Sequence, residues 1–265
     1  MRSDKDNQMA SDENLVMSVS VITVLGDREE QQDSFGYSLK EQEGIVIVCD
    51  GMGGHEGGQI ASRTATSRFL EDYEKTDSVN DPVEILLNSA HSCDSTLSSL
   101  KNEDGEPLSA GSTCVAVVVK ETRLYWCSVG DSRAYVKRGD EFVQITQDQN
   151  YRTVLNERLH AGLISEEEYH KEEEKAEALI SYLGIGNLAL IDYSESPLLL
   201  QVGDKVIMLS DGLYKLVSEE EIKWVLDHFG NNEDALEALE MKAQQASEQY
   251  KITRDNMTVA LIDIK

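Results

Sequence analysis

Two apolar runs end in the same pair of residues. Ile45-Val46-Ile47-Val48-Cys49 leads into Asp50-Gly51, and Val206-Ile207-Met208-Leu209-Ser210 leads into Asp211-Gly212. A buried strand that delivers a carboxylate at its end sets a hard oxygen ligand at the rim of a rigid sheet, and the glycine lets a carbonyl or ligand approach closely. Either copy alone reads as an ordinary Asp-Gly turn. Asp131, after Cys127-Ser128-Val129-Gly130, takes the same strand-to-loop position, and Asp255 stands beside Asn256 just before a closing apolar run. Gathering four carboxylates costs repulsion and desolvation that metal ions can offset, and two such ions form a template for phosphoryl chemistry. Arg28 adds a guanidinium suited to bidentate phosphate recognition, and Asp33, following Gln31-Gln32, is placed to orient a metal-held water.

The elements that must position these groups follow from periodicity. Leu15 to Leu25, Ser34 to Leu39 and Ile45 to Cys49 read as an opening meander. A helix is expected over Gln59 to Tyr73. A second begins at Asp81-Pro82, a cap followed by proline at the first helical position, with Leu86, Ala90, Cys93, Leu97 and Leu100 on one apolar face. Thr113 to Lys120, Arg123 to Val129, Arg133 to Lys137 and Glu141 to Ile145 make a second meander. Ser165 with Glu168 forms a capping box that opens a Glu/Lys-rich, solvated helix inside a surface flap at about 146–183. Strands resume at Pro197 to Gln201 and Lys205 to Ser210, Ser218 with Glu221 caps another helix, Glu233 to Gln249 is amphipathic, and Met257 to Ile264 closes the chain. Strands in consecutive groups rather than strict β-α alternation give an α+β class: two packed antiparallel β-sheets flanked by helices, an α-β-β-α sandwich. One domain over 15–265, preceded by a polar tail at 1–14, suits 265 residues.

Composition narrows the partners. With 50 acidic and 24 basic side chains, the formal charge of -26 repels a phosphate backbone over most of the surface, so nucleic acid is not expected. The apolar runs are too short to span a bilayer, and the start lacks a signal-type stretch, so no membrane partner is expected. Cys49, Cys93, Cys114 and Cys127 lie in apolar segments without a Cys-x-x-Cys pair, which reads as core thiols in a reducing cytoplasm.

Six segments in order resemble the protein phosphatase 2C family, the metal-dependent PPM group, in its short bacterial form. They are Gly26-Asp27-Arg28 through Asp33-Ser34-Phe35; Asp50-Gly51-Met52-Gly53-Gly54-His55 with Gly58 and Ala61-Ser62; Gly111-Ser112-Thr113; Gly130-Asp131-Ser132-Arg133-Ala134; Leu209-Ser210-Asp211-Gly212-Leu213; and Arg254-Asp255-Asn256-Met257-Thr258. The resemblance implies an enzyme, a serine/threonine phosphatase that hydrolyses phosphoserine and phosphothreonine in proteins with a metal-activated water. It implies two Mn²⁺ or Mg²⁺ ions, bridged by Asp50. The Gly51 carbonyl would sit on one, and Asp211 and Asp255 on the other. Asp131 with Asp211 would form a looser third position, and Gln32 and Asn256 would support the ligands from behind. Arg28, Asp33, Asp50 and Asp211 are the expected catalytic set, with no organic cofactor. Expected partners are phosphorylated proteins, the substrates of a serine/threonine kinase, and a monomer is expected.

The sequence also departs from the pattern. The family usually has asparagine at the place of Gln31 and often glutamate at that of Gln32, so a negative charge is absent. Met52 stands where animal members have a histidine proposed to protonate the leaving oxygen, and His55 is not expected to inherit that role. The family's Asp-His element reads Asp148-Gln149, and Lys175 to Leu183 lacks the usual arginine-asparagine pair. Divergence there implies altered substrate choice or regulation. The rival reading is a catalytically weak or dead relative that binds phosphoproteins in a metal-dependent way and regulates a partner. A Ca²⁺-binding module is disfavoured because no Asp-x-Asp-x-Asp-Gly loop is present.

Overall fold

Ile45 to Cys49 are apolar at every position because the strand they form is covered on both faces. Ile45, Ile47 and Cys49 pack under helices, while Val46 and Val48 face a second sheet. The computed structural model describes residues 8–13, 17–40, 42–54, 56–76, 81–102 and 104–265. His55 lies outside the described residues.

The first half of the chain supplies strands β1 (Gln8–Glu13), β2 (Met17–Val24), β3 (Asp33–Lys40) and β4 (Glu43–Gly53), then helices α1 (Gly57–Lys75) and α2 (Pro82–Ser98). Strands β5 (Ala110–Ser112), β6 (Cys114–Lys120), β7 (Arg123–Val129), β8 (Arg133–Arg138) and β9 (Glu141–Gln144) follow. The flap carries α3 (Tyr151–His160) and α4 (Glu166–Glu172). After it come β10 (Asp192–Tyr193), β11 (Leu198–Leu199), β12 (Lys205–Leu209), α5 (Asp211–Tyr214), α6 (Glu219–His228), α7 (Asn232–Tyr250) and β13 (Met257–Ile264).

These strands form two antiparallel sheets. One has the order β1-β2-β13-β12-β8-β9; the other has the order β10-β7-β6-β4-β3, with β5 added to β4 and β11 to β7. Helices α1 and α2 cover the second sheet through Phe69, Leu86 and Leu97, and α5 to α7 cover the first through Leu213, Leu236 and Leu239. The sheets meet through Val117, Met208 and Ile262, among others. The expected α-β-β-α sandwich is the observed architecture.

Capping explains the helix starts. The Asp81 side chain accepts from Val83 N, and both expected capping boxes, Ser165 with Glu168 and Ser218 with Glu221, are complete. α4 buries none of its side chains, as a solvated face should. Two segments differ from expectation. Gln8–Glu13, taken as part of the polar tail, is an edge strand paired antiparallel with β2. Pro197 to Gln201 shortens to a two-residue pairing with β7 because Pro197 cannot donate to a ladder. The chain after the flap is pinned by Asp94 of α2, which is 4% exposed and accepts from the backbone nitrogens of Gly184, Gly186 and Leu188.

Candidate active site

The strand ends meet at one edge of the sandwich. Register pairs Asp33, at the start of β3, with Asp50 of β4, so two carboxylates stand side by side across neighbouring strands. Asp50 is locked through its backbone: its nitrogen donates to Thr113 Oγ1 at 3.0 Å, and its carbonyl accepts from Thr113 N at 2.8 Å. Gly51 N donates to Gln32 O at 3.1 Å. A Cβ on Gly51 would lie 2.1 Å from Gly58 O, so only glycine lets α1 begin against the Asp50–Gly51 segment.

From the other sheet, Asp211 begins α5 directly after β12, and Asp255 precedes β13. Gly212 allows them to approach, since a Cβ there would meet Asn256 O at 2.0 Å. Asn256 ties this turn to the first loop: its Oδ1 accepts from Gln32 N and its Nδ2 donates to Leu25 O. Asp131 sits in the β7–β8 connection, where Ser132 Oγ and Thr113 Oγ1 lie 2.7 Å apart.

Arg28, Gln32, Asp50, Gly51, Asp131, Asp211, Asp255 and Asn256 thus line one open cleft of about 860 Å³. Asp33 lies behind Asp50 rather than on the cleft wall, 6% exposed, and its Oδ2 accepts from Ser210 Oγ at 2.8 Å. Thr113 and Ser210 stand in quoted motif segments without a role of their own, and Lys215 is a neighbour that motif reading did not single out. The Ser210-Asp211 adjacency and the four-residue spacing of Asp211 and Lys215 were the available signals. The flap contributes Glu177, Leu179 and Tyr182 to the cleft wall.

The charges are unbalanced in favour of the carboxylates. Burial, and then Asp33, pushes Asp50 well above the usual carboxylate range. Burial likewise pushes Asp33 up to about 7 against the lowering effect of hydrogen bonds from Ser210 and Thr258, and pushes Asp131 up to about 6 with Asp211 adding to it. Two cations answer part of this charge: Arg28 Nη2 donates to Asp255 Oδ2 at 2.6 Å, and Lys215 pairs with Asp211 Oδ2. Asp33 Oδ1 and Asp211 Oδ1 are buried without any partner.

Those orphaned oxygens and suppressed ionisations are what a site built for divalent cations shows when the carboxylates are considered alone. The donors are hard oxygens, which suits Mg²⁺ or Mn²⁺. Among the described residues, no three His, Cys, Asp or Glu side chains converge closely enough to hold an ion in this geometry. Asp211 and Asp255 are instead engaged by Lys215 and Arg28. A thiol nucleophile is excluded by burial, which pushes Cys93 up to about 12 and raises Cys114 and Cys127 further.

The chain belongs to the protein phosphatase 2C family, whose model matches residues 25–250. It is 27% identical over 240 residues to a serine/threonine phosphatase, stp, of Listeria innocua, covering 89% of this chain and 91% of that protein. The solved serine/threonine phosphatase of S. agalactiae superposes with a TM-score of 0.81 at 27% identity, covering 94% of this chain and 100% of that one. The catalytic domain of the phosphatase PstP, solved in complex with two manganese ions, shares the fold at a TM-score of 0.74 and 23% identity, over 94% of this chain and 98% of that one.

Proposed function

We propose that this chain hydrolyses phosphoserine and phosphothreonine in proteins, with two divalent cations held by Asp50, the Gly51 carbonyl, Asp211 and Asp255. The observation that carries this reading is the convergence of Arg28, Asp50, Asp131, Asp211 and Asp255 on one cleft from both sheets. When bound, the ions would supply Lewis acidity and a water acidic enough to be deprotonated near neutral pH. Mn²⁺ and Mg²⁺ both suit the oxygen donors.

The chain's own residues do the rest. Arg28, 57% exposed at the cleft mouth, exchanges Asp255 for the phosphoryl oxygens of the substrate. Asp33 leaves Oδ1 available to a water between itself and Asp50, and Ser210 fixes its other oxygen. Gln32 and Asn256 hold the first loop against the Asp255 turn, so the two halves of the site keep their spacing. The cleft is open and polar, which fits a phosphorylated side chain presented on a protein. Four buried free cysteines support a reducing, cytoplasmic setting, and no described helix is long and apolar enough to cross a membrane. The substrates would be products of a serine/threonine kinase, and the chain acts as a monomer.

Hydrolysis of a phosphothreonine peptide with Mn²⁺, with EDTA, and by Asp211→Asn tests the reading. Turnover should require both the metal and Asp211. Metal binding without turnover would move the reading to a phosphoprotein-binding regulator.

Removing Arg28 should separate binding from chemistry. Arg28→Ala loses a charge-assisted contact of roughly 1.5 kcal/mol, so KM should rise about tenfold with kcat little changed. The same change frees Asp255, so the Mn²⁺ concentration needed for half-maximal rate should not increase. Steady-state kinetics at several Mn²⁺ concentrations checks both, and a fall in kcat with KM unchanged would contradict the role.

A further inference from the structure

The proposed reading leaves Lys215 unexplained. It lies one turn after Asp211, at the end of α5, with its side chain 42% exposed. Its ammonium pairs with Asp211 Oδ2, while Asp211 Oδ1 is buried and unpartnered. The two oxygens of this carboxylate are therefore divided: one is buried without a partner and the other is taken by a cation of the chain itself. Asp131 lines the same cleft as Asp211 and Lys215. Glu177 of the flap stands 3.9 Å from the Lys215 nitrogen and accepts from Arg152 Nη2 at 2.7 Å, so the ammonium is held from the flap side as well.

Resting on the two-ion reading, we infer that Lys215 is a positioning residue whose ammonium occupies the place between Asp131 and Asp211 that a third divalent ion would need. A third ion must take an oxygen from each of these carboxylates, and Asp211 Oδ2 is already engaged by a positive charge that also repels an incoming cation. The ammonium carries one charge and no exchangeable water, so it neutralises Asp211 and orients it without adding a Lewis acid. It also links the metal-binding carboxylate to the flap through Glu177, which lines the cleft. The chain is thereby a two-ion enzyme by construction, and the flap reads the position of α5 through a salt bridge.

The test counts ions rather than turnover. Equilibrium dialysis with metal analysis, backed by titration calorimetry, would measure Mn²⁺ per chain for the full-length protein, Lys215→Met, Lys215→Arg, Asp131→Asn and Lys215→Met/Asp131→Asn. The wild type should hold two ions, and Asp131→Asn should leave that number unchanged. Lys215→Met should gain one weaker ion, the double variant should lose it again, and Lys215→Arg, which keeps the charge, should stay at two. If Lys215→Met does not fold, the other comparisons still decide. A wild type that binds a third ion, lost in Asp131→Asn, would overturn the inference, as would two ions in a folded Lys215→Met. A wild type that binds no Mn²⁺ would instead overturn the two-ion reading on which it rests.

Discussion

Asp50→Asn should abolish turnover and at the same time make the metal-free protein melt higher. The first effect follows from the proposed role: Asp50 would hold both ions, so its loss would remove the template and not merely one contact. A fall of at least about three orders of magnitude in kcat/KM is expected, equivalent to roughly 4 kcal/mol of transition-state stabilisation. The second effect follows from electrostatics. Asp50 is raised well above the ordinary carboxylate range by burial and by Asp33, so in its ionised form it opposes folding. An amide of the same shape removes that opposition and leaves intact the backbone bonds to Thr113, which do not use the side chain. Mn²⁺ should then raise the melting temperature of the wild type and leave that of Asp50→Asn nearly unchanged. Calorimetric melting with and without Mn²⁺, beside a phosphothreonine-peptide assay, measures both. A variant that retains full activity, or one that melts below the metal-free wild type, would refute the assignment of Asp50 as the central ligand.

The candidate carboxylates could be picked out because each borders an apolar run, and a buried strand has only its ends at which to present a charge. Asp50 follows Ile45 to Cys49, and Asp211 follows Val206 to Ser210; both runs are buried on two faces, so the periodicity marks their ends sharply. Elements that exist through tertiary pairing were not legible. Gln8–Glu13 is polar and without alternation, and it is a strand only because the edge of β2 accepts it. β5 and β10 are three and two residues long and carry no pattern of their own. The Asp148-Gln149 departure illustrates a third limit. Gln149 accepts from Gly130 N at 2.9 Å and donates to Ser128 O at 3.0 Å, so an amide bridges the turn that carries Asp131. Asp148 grips Arg133 with both oxygens, and Arg133 stacks on Tyr214 at 3.7 Å. Motif comparison registers that substitution as a loss, whereas the geometry shows the turn held by other means. Lys215 was overlooked because it is defined by the carboxylate it meets, one helical turn back, and not by any pattern around it.

The metal-free protein should lose stability as pH rises through the range in which Asp33 titrates, and Asp33→Asn should remove that part of the loss. Asp33 has an ordinary value of 3.8 and is pushed up to about 7 by burial, with Asp211 and Asp255 adding to it. Between those values the native state holds a proton that the unfolded chain has released, so stability falls as pH rises from about 4 to about 7 and this contribution is constant above. At about 1.4 kcal/mol for each pH unit separating the two titrations, the loss reaches up to roughly 4 kcal/mol. For a chain of this size that is a fall of roughly 10 °C in Tm. Other carboxylates also titrate across this range, so the informative quantity is the difference between variant and wild type. The two should melt together near pH 4, and the amide should be ahead by a growing margin up to pH 7 and by a constant one at pH 8. Mn²⁺ should act in the opposite sense. Its ligands must be deprotonated, so its stabilisation of the wild type, about 2.7 kcal/mol per site at a hundredfold excess over Kd, should be larger at pH 8 than at pH 5. A difference between Asp33→Asn and wild type that is the same at every pH would mean that Asp33 stays ionised in the metal-free fold, and the charge balance argued for this site would then be wrong at the carboxylate behind Asp50.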